Sequence, residues 1–313
     1  MGSFFLIIAQ TPKNRKRLSV FRRTLYNQNM KRLELTITSE YAGVRIDQVL
    51  RRHWHMASGF VSSLKFRENA ILLNGEAVRS NALCKLGDVL SVDISDRSGG
   101  NEAEPMACPL RFVYEDEYLA VLDKPHGMAV HGSLQGGDCT VANALAALWG
   151  REQSFHPVNR LDKGTGGLMV IAKCGYVHDR LRHALHSEDF VREYEALCEG
   201  GVRSQHGRIT LPIGKAEGTR RCIDLRGESA DTEYWLLERR ENISHLRLRL
   251  RTGRTHQIRV HLAALGCPIC GDRLYGAELP YEEPGFALKS VYLRFTHPIS
   301  GETVEIGRDT KLR

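Results

Sequence analysis

Hydrophobic and polar positions divide this chain into segments of different period. Residues 1–30 hold none and read as a disordered basic tail. Within residues 31–95, Leu33, Leu35 and Ile37 alternate as a strand does. Ile46, Val49, Leu50 and Trp54 then fall on one helical stripe. Ser58 stands where it can cap a second helix carrying Phe60, Val61 and Leu64. The run Ile71-Leu72-Leu73-Asn74-Gly75-Glu76-Ala77-Val78 reads as a hairpin, because Asn and Gly tolerate the positive φ that both positions of a two-residue turn require. Residues 87–94 close this small module as an alternating strand. Residues 96–108 are polar, contain Gly and Pro, show no apolar period, and predict a linker.

Residues 109–313 mix strand and helix signals and predict a larger α+β domain. Tyr118 to Asp123 is a strand that ends in the turn Lys124-Pro125-His126-Gly127. Thr140 can cap a helix with Val141, Ala144, Leu145 and Leu148 on one side. Val177, Leu181, Ala184 and Leu185 mark another helix. The segment from Phe190 to Cys198 reads as extended, and Leu246, Leu248 and Leu250 alternate with Arg247, Arg249 and Arg251 as in a half-buried strand. After Thr252-Gly253-Arg254, a helix starting near Thr255 or His256 buries Ile258, Leu262 and Leu265 and stops at Gly266.

Charge changes this picture little outside the N-terminus. The formal net charge is +7. Residues 1–30 contribute six basic residues and no acid, which leaves residues 31–313 at +1. An RNA-binding surface on the body must therefore be a local patch. Arg45, Arg51, Arg52, Lys65 and Arg67, placed on the polar faces of the first two helices, are the candidates for phosphate contacts. Eight cysteines are scattered, and only Cys267 and Cys270 are close together. With no second pair to complete a zinc site, reduced buried thiols are expected and no metal. His256 and His261 are five apart and do not share a helical face. No apolar run reaches the roughly 18 residues of a membrane span. A cytoplasmic protein without membrane attachment is expected.

Common phosphate-loop, dinucleotide, nucleophile-elbow and zinc-protease motifs are all lacking. One stretch remains that places a carboxylate in a rigid setting: Asn159-Arg160-Leu161-Asp162-Lys163-Gly164-Thr165-Gly166-Gly167, followed by the apolar run 168–172. Asp162 sits in a glycine-rich turn anchored by a strand. A carboxylate nucleophile in a partly buried pocket needs a cation beside it, and a guanidinium on a helix, such as Arg259, suits that role. Tyr194 offers a flat ring for a planar substrate. Each of these residues alone is equally at home in a turn, a core or a surface ion pair.

The order of the pieces resembles the RluA-type family of RNA pseudouridine synthases. The matching motifs are Leu122-Asp123-Lys124-Pro125-His126-Gly127-Met128-Ala129-Val130-His131, the Asp162 stretch, Arg192-Glu193-Tyr194-Glu195-Ala196, residues 252–262, and residues 266–276. The module at 31–95 is similar to the ribosomal-protein-S-four-like (α-L) RNA-binding domain, through residues 45–50, Leu73-Asn74-Gly75 and Gly87-Asp88-Val89. The resemblance implies a catalytic domain at 109–313 with a mixed, largely antiparallel sheet. It also implies uridine isomerisation in structured RNA, ribosomal before transfer RNA, with the target base flipped out of its stack. By resemblance, Asp162 is the catalytic aspartate, Tyr194 stacks on the base, Arg259 pairs with the aspartate, and Arg160, Leu288, Arg254 and His256 contact substrate. No cofactor is implied, and a monomer is expected. The chain departs from the family at Asn159, where His is usual, at Gly166, where Ser is usual, and at Lys289-Ser290, which replace a frequent His-Ala. The rival expectation is a catalytically silent RNA-binding or ribosome-assembly protein on the same fold.

Overall fold

A computed structural model describes residues 31–96, 100–132 and 137–307. The expected basic tail at 1–30 and part of the expected linker lie outside the described residues. The described chain forms two compact units. One gathers residues 31–96 with Cys174–Tyr176, and the other gathers the remainder.

The smaller unit contains strand β1 (Arg32–Thr36), helices α1 (Ile46–Arg52) and α2 (Ser58–Leu64), and strands β2 (Ile71–Leu73), β3 (Glu76–Ala77) and β4 (Val89–Asp93). Its antiparallel sheet runs β1-β4-β2-β3. The stripe Ile46, Val49 and Leu50 is fully buried, as its period requires. The hairpin turn adopts φ of 52° at Asn74 and 84° at Gly75. The Asn74 amide adds to the turn by donating to Asp88 Oδ1 at 2.9 Å and accepting from Val89 N–H at 2.9 Å. Ser58 is the first helical residue and not the cap; Ala57 holds that position, with no side-chain bond. The basic residues also sit differently from expectation. Arg45 is the residue before α1, Lys65 the one after α2, and Arg67 lies beyond both helices, so only Arg51 and Arg52 belong to a helix.

The larger unit contains strands β5 (Arg111–Glu115) and β6 (Leu119–Lys124), helix α3 (Val141–Trp149), strands β7 (His156–Pro157) and β8 (Gly166–Ala172), and helix α4 (Gly175–Ala184). These are followed by strands β9 (Val191–Glu199), β10 (His206–Ile209), β11 (Ile213–Lys215), β12 (Arg221–Ile223), β13 (Thr232–Arg240) and β14 (Ile243–Leu250), helix α5 (Gln257–Ala264), and strands β15 (Leu288–Thr296) and β16 (Thr303–Gly307). The main sheet runs β10-β13-β14-β9-β15-β8-β6-β5, with β16 beside β15 and β7 beside β8. All its pairs are antiparallel except β8–β15, which is parallel through Lys289↔Gly166 and Ser290↔Gly167. The unit is therefore α+β around a mixed, largely antiparallel sheet. β8 is buried along its whole length, which explains its unbroken apolar run.

Helix ends depart from the sequence reading in detail. Thr140 caps α3 in a reciprocal box with Asn143, as expected, but Leu148 is 55% exposed and off the buried stripe. His256 is the N-cap residue of α5; its backbone is left-handed (φ 59°) and its side chain makes no capping bond. Gln257 Oε1 instead reaches back to accept from Arg254 N–H at 2.9 Å and from Thr252 Oγ1 at 2.8 Å. Leu265 follows the last turn at 42% exposure, so the apolar stripe ends one turn earlier than its spacing suggests. Cys108 and Cys139 form a disulfide, contrary to the expectation of reduced thiols throughout. Their Cα atoms lie 6.6 Å apart, within bridging reach, a proximity that the 31-residue separation conceals. Cys267 and Cys270 are both free thiols. Among the described residues no cluster of His, Cys, Asp and Glu suits a metal ion, and no helix is long and apolar enough to cross a membrane.

Candidate active site

The Asp162 turn links β7 to β8 and is held from both sides. Asn159 is buried, and its side chain accepts from Val170 N–H at 2.7 Å and donates to Leu168 O at 3.4 Å, tying the start of the turn to the strand it enters. Thr165 N–H closes the turn on Asp162 O at 3.0 Å. On the opposite side Lys124, at the end of β6, is 1% exposed. Its ammonium donates to Met128 O at 2.7 Å, Pro125 O at 3.0 Å and Lys163 O at 3.3 Å, joining two loops. Burial pushes its pKa down to about 8, against the upward pull of the Asp162 charge.

Two glycines decide how closely these pieces approach. Gly167 has φ +100°, and a Cβ there would stand 2.1 Å from Ser290 O, so only glycine permits the parallel β8–β15 join. Gly166 leaves room for the His126 ring, 2.4 Å from where its Cβ would be; that ring also contacts Gly164 O through Nδ1 at 2.9 Å. The departure at Gly166 is thus filled by the neighbouring imidazole.

Arg259 projects from α5 and is buried. Its Nη1 donates to Asp162 Oδ2 at 3.2 Å, while Nε and Nη2 donate to Asp272 at 2.7 and 2.9 Å. Its guanidinium also lies 4.8 Å from the Tyr275 ring centroid and 4.4 Å from that of Phe286. Burial lowers the Arg259 pKa, but the bonds and charge of Asp272, then those of Asp162, more than offset it, and the net shift is upward. His256 Nε2 lies 3.9 Å from the same Asp162 oxygen, and its Nδ1 meets Tyr275 Oη at 2.8 Å. Burial is the main cause of its lowered pKa.

Tyr194 lies on β9 and Leu288 opens β15, both buried. Burial raises the Tyr194 pKa. Asp162, Tyr194, Arg259, Arg160, Leu288, Arg254 and His256 all line one cleft of about 50 Å3. The seven residues singled out from the sequence, spread over some 130 positions, meet at one place. Arg254 is engaged by Ser229 O at 3.0 Å and by Glu228. No described residue forms a hydrogen bond or ion pair with the Arg160 side chain, which leaves its cation to the solvent side of the cleft. Chemically the cleft offers a carboxylate with one oxygen held by a cation, beside a phenol ring and an apolar wall. Such a carboxylate can act as a nucleophile or a base. Lys124, His126, Asp272, Tyr275 and Phe286 went unassigned in the sequence reading. Lys124 and His126 were visible as turn formers and as part of the first family motif, Asp272 and Tyr275 as parts of the motif at 266–276, and Phe286 in none of them.

In the smaller unit, Arg45, Arg51, Lys65, Arg67 and Arg79 line a groove of about 700 Å3, and Arg52 is exposed outside it. Arg45 and Arg51 flank Asp47 at 3.1 and 3.8 Å. The Arg67 side chain is only 12% exposed, donates to Ser95 O at 2.7 Å and lies 3.8 Å from Asp93, so much of its capacity is used within the fold.

The model of the RNA pseudouridylate synthase family matches residues 118–264. Among curated proteins, the uncharacterised RNA pseudouridine synthase YlyB of Bacillus subtilis is 34% identical over 288 residues, covering 88% of this chain and 93% of that protein. Ribosomal large subunit pseudouridine synthase D of Vibrio cholerae is 34% identical over 292 residues, covering 87% of this chain and 90% of its own length. Among solved structures, human RNA pseudouridylate synthase domain containing 1 superimposes with a TM-score of 0.54 at 25% identity, covering 64% of this chain and 84% of that one. With similarity of this extent along nearly the whole of its curated relatives, the chain belongs to the RluA-type family of RNA pseudouridine synthases, isomerases that act on RNA.

Proposed function

We propose that this enzyme converts specific uridines to pseudouridine in structured ribosomal RNA, with Asp162 as its nucleophile. The observation that carries the assignment is the single bond from Arg259 Nη1 to Asp162 Oδ2, within a cleft that also presents Tyr194 and Leu288. The ribosomal preference rests on the relatives named as large-subunit enzymes. It rests also on the small basic-grooved unit, which we read as an α-L RNA-binding domain at 31–95 preceding a catalytic domain at 109–313.

The uridine is flipped from its stack at a cost of a few kcal/mol, which favours weakly paired sites. Tyr194 receives the base, and Arg160 holds the backbone beside it. Asp162 then attacks ribose C1′, or removes the C2′ proton to give a glycal; in either route the C1′–N1 bond breaks and its electron pair leaves with uracil. The uracil turns; in the first route C5 displaces the Asp162 carboxylate from C1′, and in the second C5 adds to C1′ of the glycal while the proton taken by Asp162 returns to C2′. C5 then loses its proton and N1, which kept the electron pair, takes one up, restoring the ring. Uracil is both leaving group and returning nucleophile, so the chemistry needs no metal or organic cofactor. We further assign the enzyme to the cytoplasm, as a monomer.

Asp162→Asn, nearly isosteric but unable to act as a carboxylate, tests the reading. Mapping pseudouridine in cells that carry the gene, lack it, or carry the variant should show ribosomal sites present only with the unaltered protein. Sites retained with Asp162→Asn would refute the assignment, and sites confined to transfer RNA would refute the substrate.

A further inference from the structure

Both partners of Asp162 are themselves held by one short turn. Asp272 precedes a single 3₁₀ turn, Arg273–Tyr275, and is 2% exposed. Its two oxygens take Nε and Nη2 of Arg259, the bidentate face of the guanidinium, and leave only Nη1 for Asp162. Three residues later, Tyr275 lies against that guanidinium and places its hydroxyl on His256 Nδ1. The same hydroxyl accepts from Arg221 N–H at 2.9 Å. Its one hydrogen is then free for Nδ1, and when it is given there the imidazole hydrogen lies on Nε2, the nitrogen facing Asp162. His256 itself has a left-handed backbone, with φ 59°, which is uncommon outside glycine.

Both contacts to the Asp162 carboxylate fall on Oδ2, and no described residue bonds to Oδ1. A bidentate Arg259–Asp162 pair would have occupied both oxygens. We propose that Asp272 and Tyr275 are the positioning residues of this active site, orienting Arg259 and His256 so that Oδ2 is held and Oδ1 is the reacting oxygen. This rests on the reading of Asp162 as the nucleophile. A buried ion pair kept only for stability is a weak device, because desolvation cancels most of its attraction. The division of the guanidinium between two carboxylates, with the reacting one given the lesser share, has a use in positioning.

The test uses the full chain and total RNA from cells lacking the gene, measuring the limiting rate of pseudouridine formation and the half-saturating RNA concentration. Asp272→Asn and Tyr275→Phe should each lower the limiting rate, by about 10- to 100-fold, the range typical of outer-shell partners, without raising the half-saturating concentration. In an Arg259→Lys background, Asp272→Asn should cost little more, since lysine has no fork to orient. Parental limiting rates, a loss seen only as a higher half-saturating concentration, or independent losses in the double variant would each overturn the proposal. Should Asp272→Asn fail to fold, Tyr275→Phe, which keeps the ring, decides it. Asp162→Asn in the same assay separates the two readings. Full activity there removes the nucleophile assignment, whereas an inactive Asp162→Asn beside fully active Asp272→Asn and Tyr275→Phe removes only the positioning role.

Discussion

At the residue scale, the site depends on what each side chain has left to offer once its partners are counted. Tyr194 is buried on β9 and lines the Asp162 cleft, and it brings two groups to the base it is proposed to receive: a ring that can stack and a hydroxyl that can move a proton. Tyr194→Phe should retain RNA binding and lose rate in single turnover, while Tyr194→Ala should also forfeit the roughly 1–3 kcal/mol of a base–aromatic stack. Equal losses from the two substitutions would assign everything to the hydroxyl. Lys124 offers a second check, through pH. Burial holds its pKa at about 8 in the folded protein, below the ordinary lysine value of 10.5. Between those values the unfolded chain binds more protons than the folded one, so this group adds stability as pH rises through that window. Below about pH 8 the cost of burying the charge is fully present. Thermal melts of the parent and Lys124→Met should therefore diverge in the parent's favour from pH 8 towards 10, relative to their difference at pH 7; a constant difference would show that the ammonium is not desolvated.

At the element scale, the strands and the site were legible to different depths. Alternation at Leu246, Leu248 and Leu250 and the Asn74-Gly75 turn read correctly, because sheet pleat and turn dihedrals are local properties. The helix ends did not, since Leu148 and Leu265 follow the apolar spacing but face solvent at termini where the core stops. The sequence motifs brought Asp162, Tyr194 and Arg259 to one cleft. They did not reveal that Asp272 takes the better share of Arg259, because that depends on how the turn after α5 folds back. The parallel β8–β15 join is likewise a tertiary fact, recorded in the sequence only as a second glycine. Gly167→Ala tests it. With φ at +100° and a backbone oxygen in the way, the substitution should cost well over ~1 kcal/mol and part the strands directly beyond the Asp162 turn. A lowered melting temperature together with lost activity is expected; an unchanged melt would mean that the join yields easily.

At the scale of the whole molecule, charge decides how RNA is held. Residues 31–313 carry a formal charge of only +1, so the field of the protein body cannot by itself draw in a polyanion. Cations in local grooves must do so, and they are unequal. Arg67 is tied to Ser95 and Asp93, and Arg45 is paired closely with Asp47. Arg51 is held only at 3.8 Å from Asp47, and Lys65 is exposed at the groove. A cation that already has a close partner gains less from a phosphate, so Arg51 and Lys65 should contribute more to RNA affinity than Arg45 or Arg67. Each phosphate contact removed lowers the slope of log affinity against log salt by about 1. Arg51→Ala with Lys65→Ala should therefore flatten that slope by about 2 and weaken binding most at low salt, whereas Arg67→Ala should chiefly lower the melting temperature of its unit. Titrating fluorescent ribosomal RNA fragments across a salt series measures both effects, and an undiminished slope in the double variant would place the phosphate contacts elsewhere on the protein.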